Sequence, residues 1–306
     1  MELLSAFAVS LLLQAAPLTP KPMAESDPPF VCDNCEEWNQ PHPPFKLHGR
    51  SYYVGVRGLS AVLIQTSAGL ILLDGGLPQS APLIAANIKT LGFKPEDIRF
   101  ILNSHAHYDH SGGIARLQRM SGAVVVASPS GGAALKAGRP TPDDPQYGKD
   151  GSEGAFPPVK NIRVVKDKEP LVLGDTTLTA HFTPGHTPGS TTWTWRSCEG
   201  ASCINMVYAD SLNSVSLDGF RFLGGGSSKD VSDTFRRSIA TVASLPCDLL
   251  VSVHPGFSGI FDKLKLRETK STPNPMVDPQ GCKVYAADAG KRLDARLKGE
   301  REGTVK

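Results

Sequence analysis

The segment Asn103-Ser104-His105-Ala106-His107-Tyr108-Asp109-His110-Ser111-Gly112-Gly113 constrains this chain more than any other stretch. Three imidazoles and a carboxylate fall within six positions, directly after an apolar run at residues 98–102 that reads as a strand. A loop leaving a strand lets side chains converge on one point. Neutral imidazole with carboxylate is a donor set suited to Zn²⁺. With only 8 histidines in the chain, a solvated polar loop is a poor account of that density. A metal-binding loop at a strand end is therefore the first element that any fold must accommodate.

The surrounding pattern supplies the frame. Short runs at residues 52–56, 61–66 and 70–74, each bounded by Gly or Ser, predict an antiparallel meander. Residues 80–91 carry Leu83, Ile84, Ala86 and Ile88 at helical spacing, and Gly92 ends the run. After the strand at 98–102 come a helix at 113–120 and a strand at 123–127. Residues 141–158 mix Asp, Gly and Pro without periodicity and read as a mobile surface loop. Runs at 162–165, 171–173, 176–182, 191–195 and 204–208 predict strands of a second sheet, and residues 231–245 a helix stopped by Pro246. Two sheets with helices outside satisfy this order.

The N-terminal apolar run at residues 3–13 has signal-peptide length and is too short to cross a bilayer as a helix. Residues 1–16 are expected to be a signal peptide, with a buried or frayed helix as the alternative. Residues 17–44 are Pro-rich and read as an extended arm, and residues 45–306 as one domain. Six cysteines, none of them in the His/Asp cluster, fit an oxidising compartment. Cys198 and Cys203 bracket a turn-like spacer and are expected to pair. Cys247 with Cys282 would pin the C-terminal segment to the body. Cys32 and Cys35 lack a second Cys-x-x-Cys to complete a zinc site, which leaves a structural disulfide or two free thiols. The 32 basic and 30 acidic side chains give a net charge of +2. No dense Lys/Arg run with interleaved aromatics is present, so a nucleic-acid partner is not expected.

His-x-His-x-Asp-His at residues 105–110 does not stand alone. His186 lies in Thr183-Pro184-Gly185-His186-Thr187-Pro188-Gly189-Ser190 and His254 in Val251-Ser252-Val253-His254-Pro255-Gly256, each bracketed by Pro and Gly at a strand end. In this order the three segments resemble the metallo-β-lactamase superfamily over most of the chain from about residue 53 to residue 255. The resemblance implies an α/β fold, an αββα sandwich of two mainly antiparallel sheets packed face to face with helices outside. It also implies two Zn²⁺ per chain, the first on His105, His107 and His186, the second on Asp109, His110 and His254. A second site made of Asp-His-His without cysteine is similar to that of subclass B3 β-lactamases. The same ligands serve glyoxalase II-like thioesterases and lactonases, however.

Two further segments favour the B3 likeness. Ala209-Asp210-Ser211-Leu212-Asn213 resembles an Ala-Asp-Ser-Leu-Ser pattern whose hydroxyls hold the substrate carboxylate. Asn213 departs from it, although an amide NH₂ still donates. Trp38 resembles the aromatic residue that roofs the pocket, and Asp74 the carboxylate that orients ligands from behind. Asp210 is a metal bridge in thioesterase and lactonase relatives and is expected here to be structural. Asp109 and His186 are expected to act in catalysis besides holding metal. His42, His48 and His181 have no motif around them. The implied activity is zinc-dependent hydrolysis of the β-lactam amide bond, conferring antibiotic resistance, by an exported periplasmic monomer without membrane insertion. The alternatives are a lactonase or thioesterase on the same fold, and a non-catalytic periplasmic zinc-binding protein.

Overall fold

The computed structural model describes residues 27–225, 228–270 and 272–305. The expected signal peptide at residues 1–16 and the first part of the arm lie outside them. Sheet one holds seven strands in chain order: β1 (Phe45–His48), β2 (Ser51–Tyr53), β3 (Val62–Thr66), β4 (Gly69–Leu73), β5 (Ile98–Leu102), β6 (Val124–Ala127) and β7 (Ile162–Val164). Pairing is antiparallel through β4 and parallel from β4 to β7. Sheet two contains β8 (Pro170–Leu173), β9 (Thr176–Phe182), β10 (Thr191–Glu199) and β11 (Ser202–Ala209). Beyond a small ribbon of β12 (Leu223–Gly225) and β13 (Ser228–Asp230), β14 (Leu249–Ser252) joins sheet two, parallel to β11.

The apolar runs are long because most central strands are covered on both faces. The two-residue period sorts their side chains. Val62, Ile64, Ile71, Leu73, Leu102 and Val126 point between the sheets and meet Leu178, Trp193, Trp195, Met206, Tyr208 and Val251. Their neighbours Leu63, Leu70, Leu72, Ile101 and Val125 point the other way, onto helices. A one-residue slip would exchange the two sets, so register is strongly specified.

Among the described residues four α-helices precede β6: one-turn α1 (Cys35–Trp38), α2 (Ala81–Thr90), one-turn α3 (Tyr108–Ser111) and α4 (Ile114–Ser121). With α5 (Pro129–Ala137), α2 and α4 cover the outer face of sheet one through Ile84, Ile88, Ile114, Leu117 and Leu135. Helix α4 stops where Gly122 takes a left-handed conformation, φ 75°. In α5 the Ser128 side chain caps the first turn by accepting from the Gly131 N–H. The outer face of sheet two is covered by α6 (Ser232–Ser244) and α8 (Gly281–Glu302), and α7 (Ile260–Thr269) lies between them in sequence. Cys282, Tyr285, Ala289, Leu293 and Leu297 form one stripe of α8 and pack with Phe235 and Val242 of α6.

One expectation is corrected. Residues 162–165 were expected in the second sheet, but β7 pairs in parallel with β6 at the edge of sheet one, Val125 opposite Ile162. The crossover through α5 is what returns the chain to that sheet, and α5 was not anticipated because two glycines weaken its helical pattern. Disulfides join Cys32 to Cys35, Cys198 to Cys203 and Cys247 to Cys282. No helix among the described residues is long and apolar enough to cross a membrane.

Candidate metal centre

The histidines of the loop after β5 are held from behind by a buried polar network. Asp74 directly follows β4 at φ 58°, a left-handed conformation uncommon outside glycine, which turns its carboxylate toward that loop. Asp74 Oδ1 accepts from the Ser104 N–H at 2.8 Å, and Oδ2 from Ser104 Oγ at 2.6 Å and Tyr208 Oη at 2.9 Å. Burial pushes its pKa up to about 6, against the opposing pull of His110 and these donors. Asn103 Nδ2 donates to the His105 carbonyl at 2.7 Å and to Ser111 Oγ at 3.0 Å, closing the loop on itself. The residues of this network are buried and hydrogen-bonded to one another, which supports the loop from behind.

His186 comes from the turn between β9 and β10, and His254 from the residues after β14. Both converge on the loop. The structure brings His105, His107 and His186 together, with ligand atoms within 4.8 Å of one another, and likewise His105, Asp109 and His110. His254 Nε2 stands 3.4 Å from Asp109 Oδ2 and 3.3 Å from His110 Nε2. The six residues expected as ligands therefore share one floor.

For four of the five imidazoles the ring nitrogen turned away from that floor is tied down, which decides the tautomer, whereas His110 Nδ1 has no hydrogen-bond partner and lies 3.8 Å from Asp74 Oδ2. His105 Nδ1 donates to Asp210 Oδ1 at 2.7 Å, His186 Nδ1 to the Asn213 carbonyl at 2.8 Å and His254 Nδ1 to the Gly58 carbonyl at 3.1 Å. These three rings offer an unprotonated Nε2. His107 is turned over: its Nε2 faces Asp144 Oδ1 at 3.0 Å, leaving Nδ1 for the floor.

These residues fit a zinc-type metal. His105 Nε2 is buried and has no hydrogen-bond partner, an arrangement that costs free energy unless a cation is the partner. The donor set contains only imidazole and carboxylate, and no cysteine is free. Burial, with charge on neighbouring histidines, holds His105 well below the usual imidazole range and His186 down to about 3, so both are neutral. Burial works against an ionised Asp109, yet His110 and His254 outweigh it and hold the carboxyl well below its ordinary value. Neutral imidazole and ionised carboxylate are the ligating forms.

Above the floor lies a cavity of about 660 Å³, within the range of small-molecule sites. Trp38, Ser211 and Asn213 line it. The Trp38 ring lies 5.2 Å from that of His254. Asp210 is fully buried behind His105, its carbonyl accepts from Tyr285 Oη at 2.7 Å, and its Oδ2 has no hydrogen-bond partner. Tyr108 stacks on Phe30 at 3.8 Å. Away from the centre, His42 packs on Phe45 and Phe261, His181 meets Thr194, and His48 is buried.

Sequence reasoning missed four residues of this region. Gln146 and Phe257 line the cavity, Asp144 holds His107, and Tyr285 holds the 210–212 turn. The apolar stripe of α8 would have revealed Tyr285. Asp144 and Gln146 lie in an irregular segment with no periodic signal, and Phe257 in a single turn after His254.

Residues 54–245 match the family model described as the metallo-beta-lactamase superfamily. Among solved structures, the Rm3 metallo-beta-lactamase is 48% identical, with a TM-score of 0.85 over 89% of this chain and 99% of that one. MEM-A1, a subclass B3 metallo-beta-lactamase from a soil metagenome library, is 47% identical, with a TM-score of 0.83 over 87% of this chain and 99% of that one. An N-acyl homoserine lactonase of Bacillus cereus is 27% identical over 150 residues, which are 42% of this chain and 54% of the lactonase. The chain thus spans about half the length, or less, of the curated relatives it matches.

Proposed function

Because the chain belongs to the metallo-beta-lactamase superfamily and groups there with the subclass B3 enzymes, we propose that it hydrolyses the β-lactam amide bond with two zinc ions. His105, His107 and His186 would hold the first ion and Asp109, His110 and His254 the second. The observation that carries this reading is the convergence of these six side chains on the floor of one cavity whose wall includes Ser211 and Asn213. When bound, such a zinc pair supplies Lewis acidity, polarising a carbonyl oxygen and bringing the deprotonation of water into the neutral range.

The chain's own residues do the rest. Ser211 Oγ and the Asn213 amide are donors on the cavity wall, suited to a substrate carboxylate, which would orient the lactam carbonyl toward the floor. Trp38 and Phe257, both on the lining, would offer apolar surface to the fused rings and exclude water there. Asp109, ionised and on the floor, is suited to orient the attacking water, whose proton ends on the departing nitrogen. His186, oriented by the Asn213 carbonyl, keeps its Nε2 lone pair free for metal. The hydrolysis needs no covalent intermediate on the protein.

Export to the periplasm belongs to this reading, with residues 1–16 as the leader and three disulfides in keeping with an oxidising compartment. Expression in a susceptible host should then raise resistance to β-lactams. The curated relatives favour a second reading, opening of acyl-homoserine lactones. Zinc-loaded protein should be assayed on a penicillin, a carbapenem and an acyl-homoserine lactone. Intact β-lactams beside an opened lactone would reverse the assignment while leaving the metal centre in place.

A further inference from the structure

His107 differs from the other histidines of the centre. His105, His186 and His254 each direct Nδ1 at an oxygen behind them and leave Nε2 for the floor. His107 does the reverse, because the acceptor at its back is Asp144, reached by Nε2. Asp144 belongs to the irregular segment after α5, where an exposed aspartate is the ordinary case. Here it is 5% exposed. Burying a carboxylate is costly unless it is paired and hydrogen-bonded, so the segment must be built to hold it.

Two successive turns do so. The Asp144 N–H donates to the Thr141 carbonyl at 2.9 Å, and the Tyr147 N–H to the Asp144 carbonyl at 3.0 Å. Between them the Gln146 N–H donates to Asp144 Oδ1 at 2.8 Å, the same oxygen that faces His107. The Pro145 carbonyl is anchored in turn by the Leu217 N–H at 3.0 Å. The side chain of Gln146, two residues on, lies 3.4 Å from His107 Nδ1 and lines the cavity. One turn therefore brings Asp144 onto one edge of the imidazole and Gln146 near the other.

We propose that Asp144 is the positioning residue for His107, fixing it in the Nε2–H tautomer so that Nδ1 is the nitrogen offered to the first metal. The proposal rests on the reading of His107 as a zinc ligand. Asp144 touches neither metal nor substrate in it, and acts through the imidazole alone. A neutral imidazole carries one proton, and a carboxylate at Nε2 requires that proton there. Without Asp144 the ring is free to rotate about its side-chain bonds and to exchange tautomers, and each alternative removes a lone pair from the floor.

The test measures zinc binding by apo-protein in competition with a chromophoric chelator. It also follows the ring N–H signals of ¹⁵N-labelled histidine in zinc-loaded protein. Asp144→Ala should weaken zinc affinity about 10–100-fold, the range found when such partners of metal-binding histidines are removed. It should also abolish the protected Nε2–H signal of His107. Asp144→Asn keeps an acceptor without the charge, so it should retain that signal and lose less affinity than Asp144→Ala. Asp143→Asn, at an exposed neighbour, should change neither readout.

Wild-type zinc affinity in both Asp144 variants overturns the proposal, as does a His107 Nε2–H signal that survives in Asp144→Ala. Should Asp144→Ala fail to fold, Asp144→Asn decides alone, weakened binding supporting the proposal and unchanged binding overturning it. A wild-type protein that takes up no zinc overturns the metal-centre reading itself, an outcome distinct from equal binding by wild type and variants.

Discussion

The Cys247–Cys282 disulfide closes a loop with a sequence separation of 35 and ties α8 to the end of sheet two. Cys198–Cys203 closes one of 5, across two residues already paired in the β10–β11 ladder. In the chain-entropy model the first restricts the unfolded chain by about 3.8 kcal/mol and the second by about 2 kcal/mol. Packing widens the gap. Cys282 is fully buried and Cys247 nearly so, among Leu250, Tyr285 and Phe235. Truncating both to alanine removes roughly one methylene equivalent each, about 0.8 kcal/mol apiece, whereas Cys198 is exposed and its truncation costs little. The double variant Cys247→Ala/Cys282→Ala should therefore lose about 5 kcal/mol, and Cys198→Ala/Cys203→Ala about 2 kcal/mol. Urea unfolding of the metal-free proteins without reductant measures both, since bound zinc would add its own linkage to the native state. Equal losses in the two variants, or a larger one for the hairpin pair, would refute the reasoning.

Asp109→Ala and His110→Ala should each cripple β-lactam hydrolysis more than Ser211→Ala does. Chelation should abolish wild-type activity and added Zn²⁺ restore it, as steady-state assays before and after dialysis would reveal. Asn213→Ser should change KM by less than about tenfold and leave kcat nearly unaltered, because a hydrogen bond to a substrate carboxylate acts mainly in binding. A fall in kcat at constant KM would contradict that assignment. Zinc affinity should decline on acidification. Burial alone would lower the pKa of His107 and His110, but Asp144 beside the first and Asp109 beside the second raise both. A raised imidazole keeps its proton to higher pH, so competition with zinc begins nearer neutrality than for free histidine and grows as pH falls. Zinc retention against a chelator across about pH 5.5–8 should show this slope, and a flat profile would count against it.

The sequence alone determined the metal-binding character of this chain and most of its sheets. Ligands within one turn of a strand end are tied by local geometry, so His105, His107, Asp109 and His110 were legible as a group without knowledge of the rest. Continuous apolar runs likewise marked β3, β4 and β6 as strands. His186 and His254 became members only through resemblance, because no local rule joins residues so far apart.

Tertiary structure decided what depends on such distant approach. It turned β7 back to sheet one through a helix whose glycines hide it. It set α8 across sheet two, so that Tyr285 reaches the Asp210 carbonyl and the Leu212 N–H. It also buried Asp144 from a segment whose composition reads as solvated. A hydrogen-bond partner behind a metal-binding histidine needs only one acceptor at the right point in space, and any element passing that point can supply it. Periodicity records which face of an element is buried; it carries no record of which element passes behind a given ring.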